Sequence, residues 1–169
     1  QPARVAALAD ELADVEGIAE VYSVAGEVDL IAIVRVAHHD DLAEVVDDTR
    51  RHIAQPWACP LILLGHSMGG LVAATFVQRD IAPVDGLVLS SPALDTGMTR
   101  FQRKLTHLLY RWAPNLTVSN GLDSNAISHD LAVVQAYQQD PLVRTGISAR
   151  RAHFIDSNGP GVAAAAPSG

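Results

Sequence analysis

The chain is poor in several features that would fix its class at once. Of 169 residues one is a cysteine, Cys59. A single thiol closes no internal disulfide, which excludes a disulfide-framed secreted scaffold and makes a reducing, cytoplasmic compartment the expectation. Cys59 directly precedes Pro60 and a short apolar run, where it reads as a small buried or edge residue. No stretch approaches the ~20 apolar residues that span a bilayer, so no transmembrane segment is expected. Basic residues are few: 12 Lys and Arg stand against 19 Asp and Glu, a net charge of −7. Phosphate backbones repel such a chain, so nucleic acid is set aside as a partner. The pairs Arg50-Arg51 and Arg150-Arg151 are too short to reverse this and read as solvated helix faces. The opening Gln1-Pro2-Ala3 lacks a charged n-region, an apolar h-region and an initiator Met, so the expectation is a start inside a longer chain, without a signal peptide. What is plentiful is apolar residues, at 49%, enough for one ordinary core or two small ones.

Periodicity divides the chain. Val5, Leu8, Leu12 and Val15 recur at helical spacing and predict a helix over residues 3 to 15, stopped by Gly17. Residues 18 to 24 and 28 to 36 are rich in Val and Ile. With Ala25-Gly26-Glu27 between them they predict a hairpin. Asp40 is placed to cap a helix reaching Ala54, with Leu42, Val45, Val46 and Ile53 inward. After Pro56 and Pro60 the register changes. Leu61-Ile62-Leu63-Leu64 is a continuous apolar run, expected to be a strand buried on both faces of a parallel sheet. A glycine-rich turn over 65 to 70, a helix over 71 to 79 and a second buried strand over 86 to 90 complete a βαβ unit. The two hairpin strands and these two are expected in one small mixed sheet. Beyond Pro92 helices are predicted around 101 to 112, 131 to 138 and 147 to 155, with no further buried strand. The end, from Gly159-Pro160-Gly161 through Ala163 to Gly169, reads as flexible.

Gly65-His66-Ser67-Met68-Gly69 is a G-x-S-x-G pentapeptide between a predicted strand and a predicted helix. That context is what an exposed nucleophilic serine needs: a sharp turn that lifts its hydroxyl off the sheet end. Small residues at Gly65 and Gly69 suit such a backbone, and Gly70 lets the helix pack close. The helix N-terminus carries partial positive charge, and the Met68 N–H would face the oxyanion of a tetrahedral intermediate. Ser67 is therefore the candidate nucleophile.

The run Leu61 to Gly70, then Val84-Asp85-Gly86-Leu87-Val88-Leu89-Ser90-Ser91-Pro92-Ala93, resembles the monoacylglycerol lipase and lysophospholipase branch of the α/β-hydrolases. The likeness continues through Ala113-Pro114-Asn115-Leu116, Asn120-Gly121-Leu122-Asp123 and Asp140-Pro141-Leu142-Val143, covering about residues 55 to 169. It implies a truncated α/β-hydrolase core with a helical lid, and an ester or acylglycerol substrate. Two departures matter. No H-G oxyanion motif precedes Ser67, and the family's catalytic Asp and His follow the lid, past Gly169. Within the chain, His66, His107, His129 and His153 are the imidazoles near or after the serine, and Asp123, Asp130, Asp140 and Asp156 the acids. A base is identified by geometry before pKa, so its identity stays open.

Residues 15 to 34, Val15-Glu16-Gly17-Ile18 through Ile31-Ala32-Ile33-Val34, resemble the effector-binding domain of the Lrp/AsnC regulators. The resemblance implies a ferredoxin-like α-β-β-α fragment, self-association into a homo-oligomer through the hairpin, and small effectors near Gly26 and Asp29. The helix-turn-helix of that family is absent, so DNA binding is not carried over. By its residues alone Asp29 reads as a strand-end carboxylate bonded to the turn. His38-His39-Asp40-Asp41 reads as a polar helix start rather than a metal site, and neither metal nor cofactor is expected.

The chain thus reads as a chimera of class α/β: residues 1–48 Lrp/AsnC-like, residues 49–169 a truncated hydrolase. The expected activity is that of an esterase or lipase using Ser67 with an incomplete or non-standard triad. The alternative is a catalytically inert, dimerising or effector-binding module.

Overall fold

The computed structural model describes residues 2–23, 30–36, 41–54, 59–119, 123–143 and 146–165. Its elements are α1 (Pro2–Ala13), β1 (Ile18–Ser23), β2 (Leu30–Val34), α2 (Leu42–Ala54), β3 (Ile62–His66), α3 (Met68–Gln78), β4 (Gly86–Ser90), α4 (Arg100–Trp112), β5 (Thr117–Ser119), α5 (Leu131–Gln139), β6 (Gly146–Ser148) and α6 (Ala149–Ala165). The expected α-β-β-α start and strand–helix–strand unit are both there. The Ala25-Gly26-Glu27 turn, Asp29, His38, His39 and Asp40 lie outside the described residues. Two compact units emerge, residues 1–65 with 72–90, and residues 66–71 with 91–169.

In the first unit α1 buries Val5, Leu8 and Leu12, the stripe its sequence predicts. Leu8 and Leu12 meet Ile53 of α2, with Ile18, Val21 and Leu30 of the hairpin packed alongside. β1 and β2 pair antiparallel from Ile18↔Val34 to Ser23↔Leu30, with an irregularity between Ile18 and Glu20. Gly17 makes the entry to β1 at φ +91°, where a Cβ would lie 2.5 Å from Val45 Cγ2, so only glycine fits. A second cluster joins Leu42 and Val46 of α2 to Phe76 of α3 and to Ala82, with Val34, Leu61, Leu63 and Val72 around it. Burying a ring such as Phe76 contributes about 1.5–3 kcal/mol. α2 therefore serves both clusters, one from each end.

A carboxylate reinforces this. Asp85 accepts the Leu61 N–H at 2.7 Å and pairs with Arg50 of α2 at 3.1 Å. Arg50 also donates to the Pro83 carbonyl. Half-buried Arg50 is thus a structural clamp, unlike the solvated helix face expected for it. Cys59 is exposed at the approach to β3.

Four further expectations are corrected. The strands form separate two-stranded sheets, β1-β2, β3-β4 and β5-β6, in place of one mixed sheet. β3 and β4 are also not buried on both faces: Ile62 and Leu64 are 57% and 66% exposed, because two strands alone do not provide the covered faces of a large parallel sheet. Finally, the C-terminal segment is helical through Ala165, with Pro160 inside it, and residues 146 to 148 are a strand rather than the start of that helix.

Within the second unit a Thr99–Gln102 capping box starts α4: the Gln102 N–H donates to Thr99 Oγ1 at 3.3 Å, and the Thr99 N–H to Gln102 Oε1 at 2.8 Å. Two of the first N–H groups of α6 find carbonyls outside the helix, Ala149 N to Leu116 O at 2.8 Å and Arg150 N to Pro114 O at 3.0 Å. Ala149, Ala152, Ile155 and Gly159 form its buried face. That burial holds the helix together across Pro160, which removes one backbone bond.

The two glycines flanking Pro160 differ sharply. A Cβ at Gly159 would sit 1.9 Å from the Leu94 carbonyl oxygen, whereas one at Gly161 would meet nothing within 4 Å. Gly159→Ala is expected to destabilise by roughly 1–3 kcal/mol through backbone displacement. Gly161→Ala is expected to be neutral or to stabilise by up to about 1 kcal/mol through helix propensity. Urea unfolding of the two variants checks this, and equal midpoints would refute it.

Candidate active site

The strand β3 ends at His66, Ser67 forms the turn, and α3 begins at Met68. The apolar run of β3 gives way to Gly65, and the run Met68-Gly69-Gly70-Leu71 is free to enter a helix at once. Ser67 takes φ 53°, the left-handed region that side chains avoid. Such a conformation costs roughly 1–3 kcal/mol and persists only where its surroundings over-determine it. Here two N–H groups hold the Ser67 carbonyl: Leu71 at 3.3 Å, closing the first helical turn, and Ala93 at 2.9 Å. Ser91, just after β4, is also left-handed at φ 43°. Its bend turns the chain so that Ala93 can reach the serine carbonyl. The Ser91-Pro92-Ala93 strap was not singled out in the sequence as part of the site; a left-handed serine before a proline has no distinct pattern.

Ser67 and His66 are exposed, while Gly65 and Gly70 are buried. Gly69 is exposed and a Cβ there would meet nothing within 4 Å. Crowding therefore does not account for glycine at 69, contrary to the small-residue requirement expected there. The N–H groups of Met68, Gly69 and Gly70 belong to the first turn of α3 and have no partner inside the helix. They carry the partial positive end of the helix dipole beside the serine.

The candidate relay groups are distributed elsewhere. Asp123 accepts the Asn125 N–H at 2.9 Å, Asp130 caps α5 through the Ala132 N–H at 2.8 Å, and Asp140 accepts the Leu142 N–H at 2.8 Å. These three carboxylates are turn and cap formers. Exposed His129 precedes the α5 cap. His107 and His153 do meet an acid. His107 Nε2 lies 3.2 Å from Asp156 Oδ2, and His153 stacks on Tyr110 at 4.1 Å and meets His107 edge-on at 4.4 Å. Arg103 Nε stands 2.8 Å from Asp156 Oδ1 without hydrogen-bond alignment, so that contact is an ion pair. Among the described residues no hydrogen bond joins the Ser67 hydroxyl to an imidazole. The cluster fastens α4 to α6. Burial pulls the His153 pKa below its ordinary value, the neighbouring His107 adds to this, and Asp156 opposes it. No group of three metal-ligating side chains occurs among the described residues.

A strand, a left-handed serine, a helix and a neighbouring strand, followed by a helical segment, define part of an α/β-hydrolase core. The monoacylglycerol lipase of Paleococcus ferrophilus has the same fold: TM-score 0.57 and 29% identity, covering 73% of this chain and 48% of that one. Residues 34–163 match the family described as serine aminopeptidase, S33, and the chain belongs to it. Residues 1–55 match the Lrp/AsnC ligand binding domain, so both family likenesses read from the sequence hold. The matches overlap over 34–55, the stretch that holds α2. The monoacylglycerol lipase of Mycolicibacterium smegmatis is 36% identical over 116 residues, 64% of this chain and 41% of the lipase. Phospholipase YtpA of Bacillus subtilis is 34% identical over 120 residues, 67% of this chain and 46% of the phospholipase. The chain spans less than half the length of each of these relatives.

His153 makes stability depend on pH. Unfolded, His153 protonates near its ordinary value of about 6.5; folded, it does so lower. Between the two values the unfolded chain binds more protons, so the contribution is complete above 6.5 and is lost as pH falls through that window. His153→Phe keeps the stack on Tyr110 and should flatten this part of the melting-temperature profile. An unchanged slope in the variant would rule the assignment out.

Proposed function

We propose that the chain is hydrolase material of the ester-cleaving kind, with Ser67 as nucleophile and acylglycerol-type esters as substrates. The observation that carries this is the left-handed Ser67 at the first turn of α3, within Gly65-His66-Ser67-Met68-Gly69. The lipase and phospholipase names of its relatives support the substrate class. Ser67 Oγ would attack the ester carbonyl carbon and pass its proton to a base. The Met68 N–H would hold the oxyanion, with the helix dipole behind it. Collapse of the tetrahedral intermediate releases the alcohol and leaves an acyl-serine, which water then cleaves to the acid. We assign residues 49–169 to this role and residues 1–48 to a regulator-type segment.

The acyl-serine route requires a base to take the Ser67 proton, and among the described residues none is assigned that role. Hydrolysis of a chromogenic butyrate ester should therefore be slow yet above buffer, and Ser67→Ala should lower it at least about tenfold. Equal rates for the two proteins, or no turnover by either, would defeat the reading.

A second reading rests on the hairpin. Tyr22 and Ile31 face each other across β1 and β2 and both are exposed. An aromatic and a β-branched residue paired on an open sheet face suit self-association. Light scattering should give a dimer that Tyr22→Lys with Ile31→Lys converts to monomer; a monomeric parent chain would exclude it.

A further inference from the structure

We infer that Gly159 of α6 is a positioning residue for Ser67, acting through the strap that follows β4. The inference rests on the hydrolase reading of Ser67 and names what holds that serine in place. Ser67 at φ 53° needs support from outside its own helix, and the Ala93 N–H supplies it at 2.9 Å. Ala93 is itself the centre of a tight turn: the Leu94 N–H donates back to the Pro92 carbonyl at 2.9 Å, so Ala93 and Leu94 move as one. The Leu94 carbonyl then lies against the backbone of α6 at Gly159, where a Cβ would come 2.6 Å from the carbonyl carbon and 3.1 Å from Leu94 Cα. The next residue, Asp95, is tied to the same helix through Arg103, which stands 3.4 Å from Asp95 and 2.8 Å from Asp156. One end of the strap is thus bonded to the serine and the other abuts α6, and all of these residues lie in the second unit.

Magnitudes decide whether the link transmits. Glycine is disfavoured inside a helix, so at 159 it answers to this close approach and not to helix formation. Real Cβ atoms stay at least 3.0 Å from such neighbours, so a methyl at 159 would part the two backbones by about 1 Å. The helix is the firmer partner: Ala149, Ala152 and Ile155 are buried, and the Leu116 and Pro114 carbonyls hold two of its first N–H groups. The strap is held by the Ala93 bond and by the Asp95–Arg103 pair, which is exposed and weak, so the strap is what shifts. A hydrogen bond of 2.9 Å is lost by roughly 3.5 Å, a tolerance smaller than that shift. Ala93 therefore leaves the Ser67 carbonyl, and the nucleophile loses its outside support. Misplacing a reacting atom in this way lowers rate rather than affinity.

Native-state hydrogen exchange, read by NMR on the full chain, tests this beside the butyrate ester assay. In the parent, the Ala93 amide should open together with the Ala149 and Arg150 amides at the start of α6, with one shared denaturant dependence. In Gly159→Ala, exchange at Ala93 should accelerate at least about tenfold more than at the Ala113 amide of α4, which the Leu109 carbonyl holds at 2.7 Å. The Ser67-dependent kcat should fall at least about tenfold, with KM within about twofold. Gly161→Ala, where a Cβ meets nothing within 4 Å, should leave the exchange ratio and kcat as in the parent. If Gly159→Ala does not fold, the parent measurement decides. An Ala93 amide that exchanges independently of α6 would overturn the inference. So would equal acceleration at Ala93 and Ala113, the mark of a helix that merely loses stability, or an unchanged kcat in folded Gly159→Ala. Exchange needs no turnover. Should Ser67→Ala match the parent in the ester assay while Ala93 follows α6, the link from α6 to the serine turn stands and the hydrolase reading falls.

Discussion

The carbonyl of Ser67 accepts two backbone N–H groups, one from Leu71 and one from Ala93. The first is the opening bond of α3; the second comes from the far side of β4, after the left-handed Ser91. Together they hold the serine at φ 53°, although its side chain prefers the other half of conformational space. The same geometry turns β3 into α3 with no intervening loop and puts the N–H groups of Met68, Gly69 and Gly70, which have no partner inside the helix, at the turn. Site and fold thus share one strained residue, and the strain is supported by the segment that follows β4, through Ala93, as much as by the helix itself.

Within the first unit the N-terminal segment packs against β3 and α3. α2 contributes Ile53 to the cluster around α1, and Leu42 and Val46 to the cluster around Phe76. Arg50 and Asp85 add a polar tie at the start of β3 and β4. Exposed ion pairs of this kind contribute little alone, about 0–1 kcal/mol. Their value here is positional, because Asp85 also satisfies the Leu61 N–H, so one carboxylate sets where two strands begin. Within the first unit, residues matched by the regulator family and residues matched by the hydrolase family therefore share a core.

Periodicity made most elements legible. Val5, Leu8 and Leu12 marked α1, the Val- and Ile-rich runs marked β1 and β2, and the apolar run ending at Gly65 marked β3. The glycine pattern located the strand-to-helix turn at Ser67. What escaped was whatever depends on partners distant in the chain. Ile62 and Leu64 look fully buried in a continuous apolar run, yet burial on both faces requires layers that a local pattern does not contain. Pro160 and its glycines signal a break, but Gly159 exists to let α6 approach the Leu94 backbone, a contact across 65 positions in the chain numbering (159 − 94). The pairing of His107 with Asp156 was equally hidden: each residue was a candidate, and only the packing of α4 on α6 brings them together.

The half-open β3–β4 sheet has a colloidal consequence. Its exposed Ile62, Leu64, Val88 and Leu89 present apolar strand surface of the kind that recruits other strands. Mutual repulsion among molecules of net charge −7 keeps such surfaces apart in dilute buffer. Salt shortens the reach of that repulsion to about 8 Å at physiological ionic strength. Towards the isoelectric point near 5.3 the repulsion vanishes altogether. The chain is thus best handled at neutral pH and low ionic strength, where its own charge keeps these strand surfaces apart.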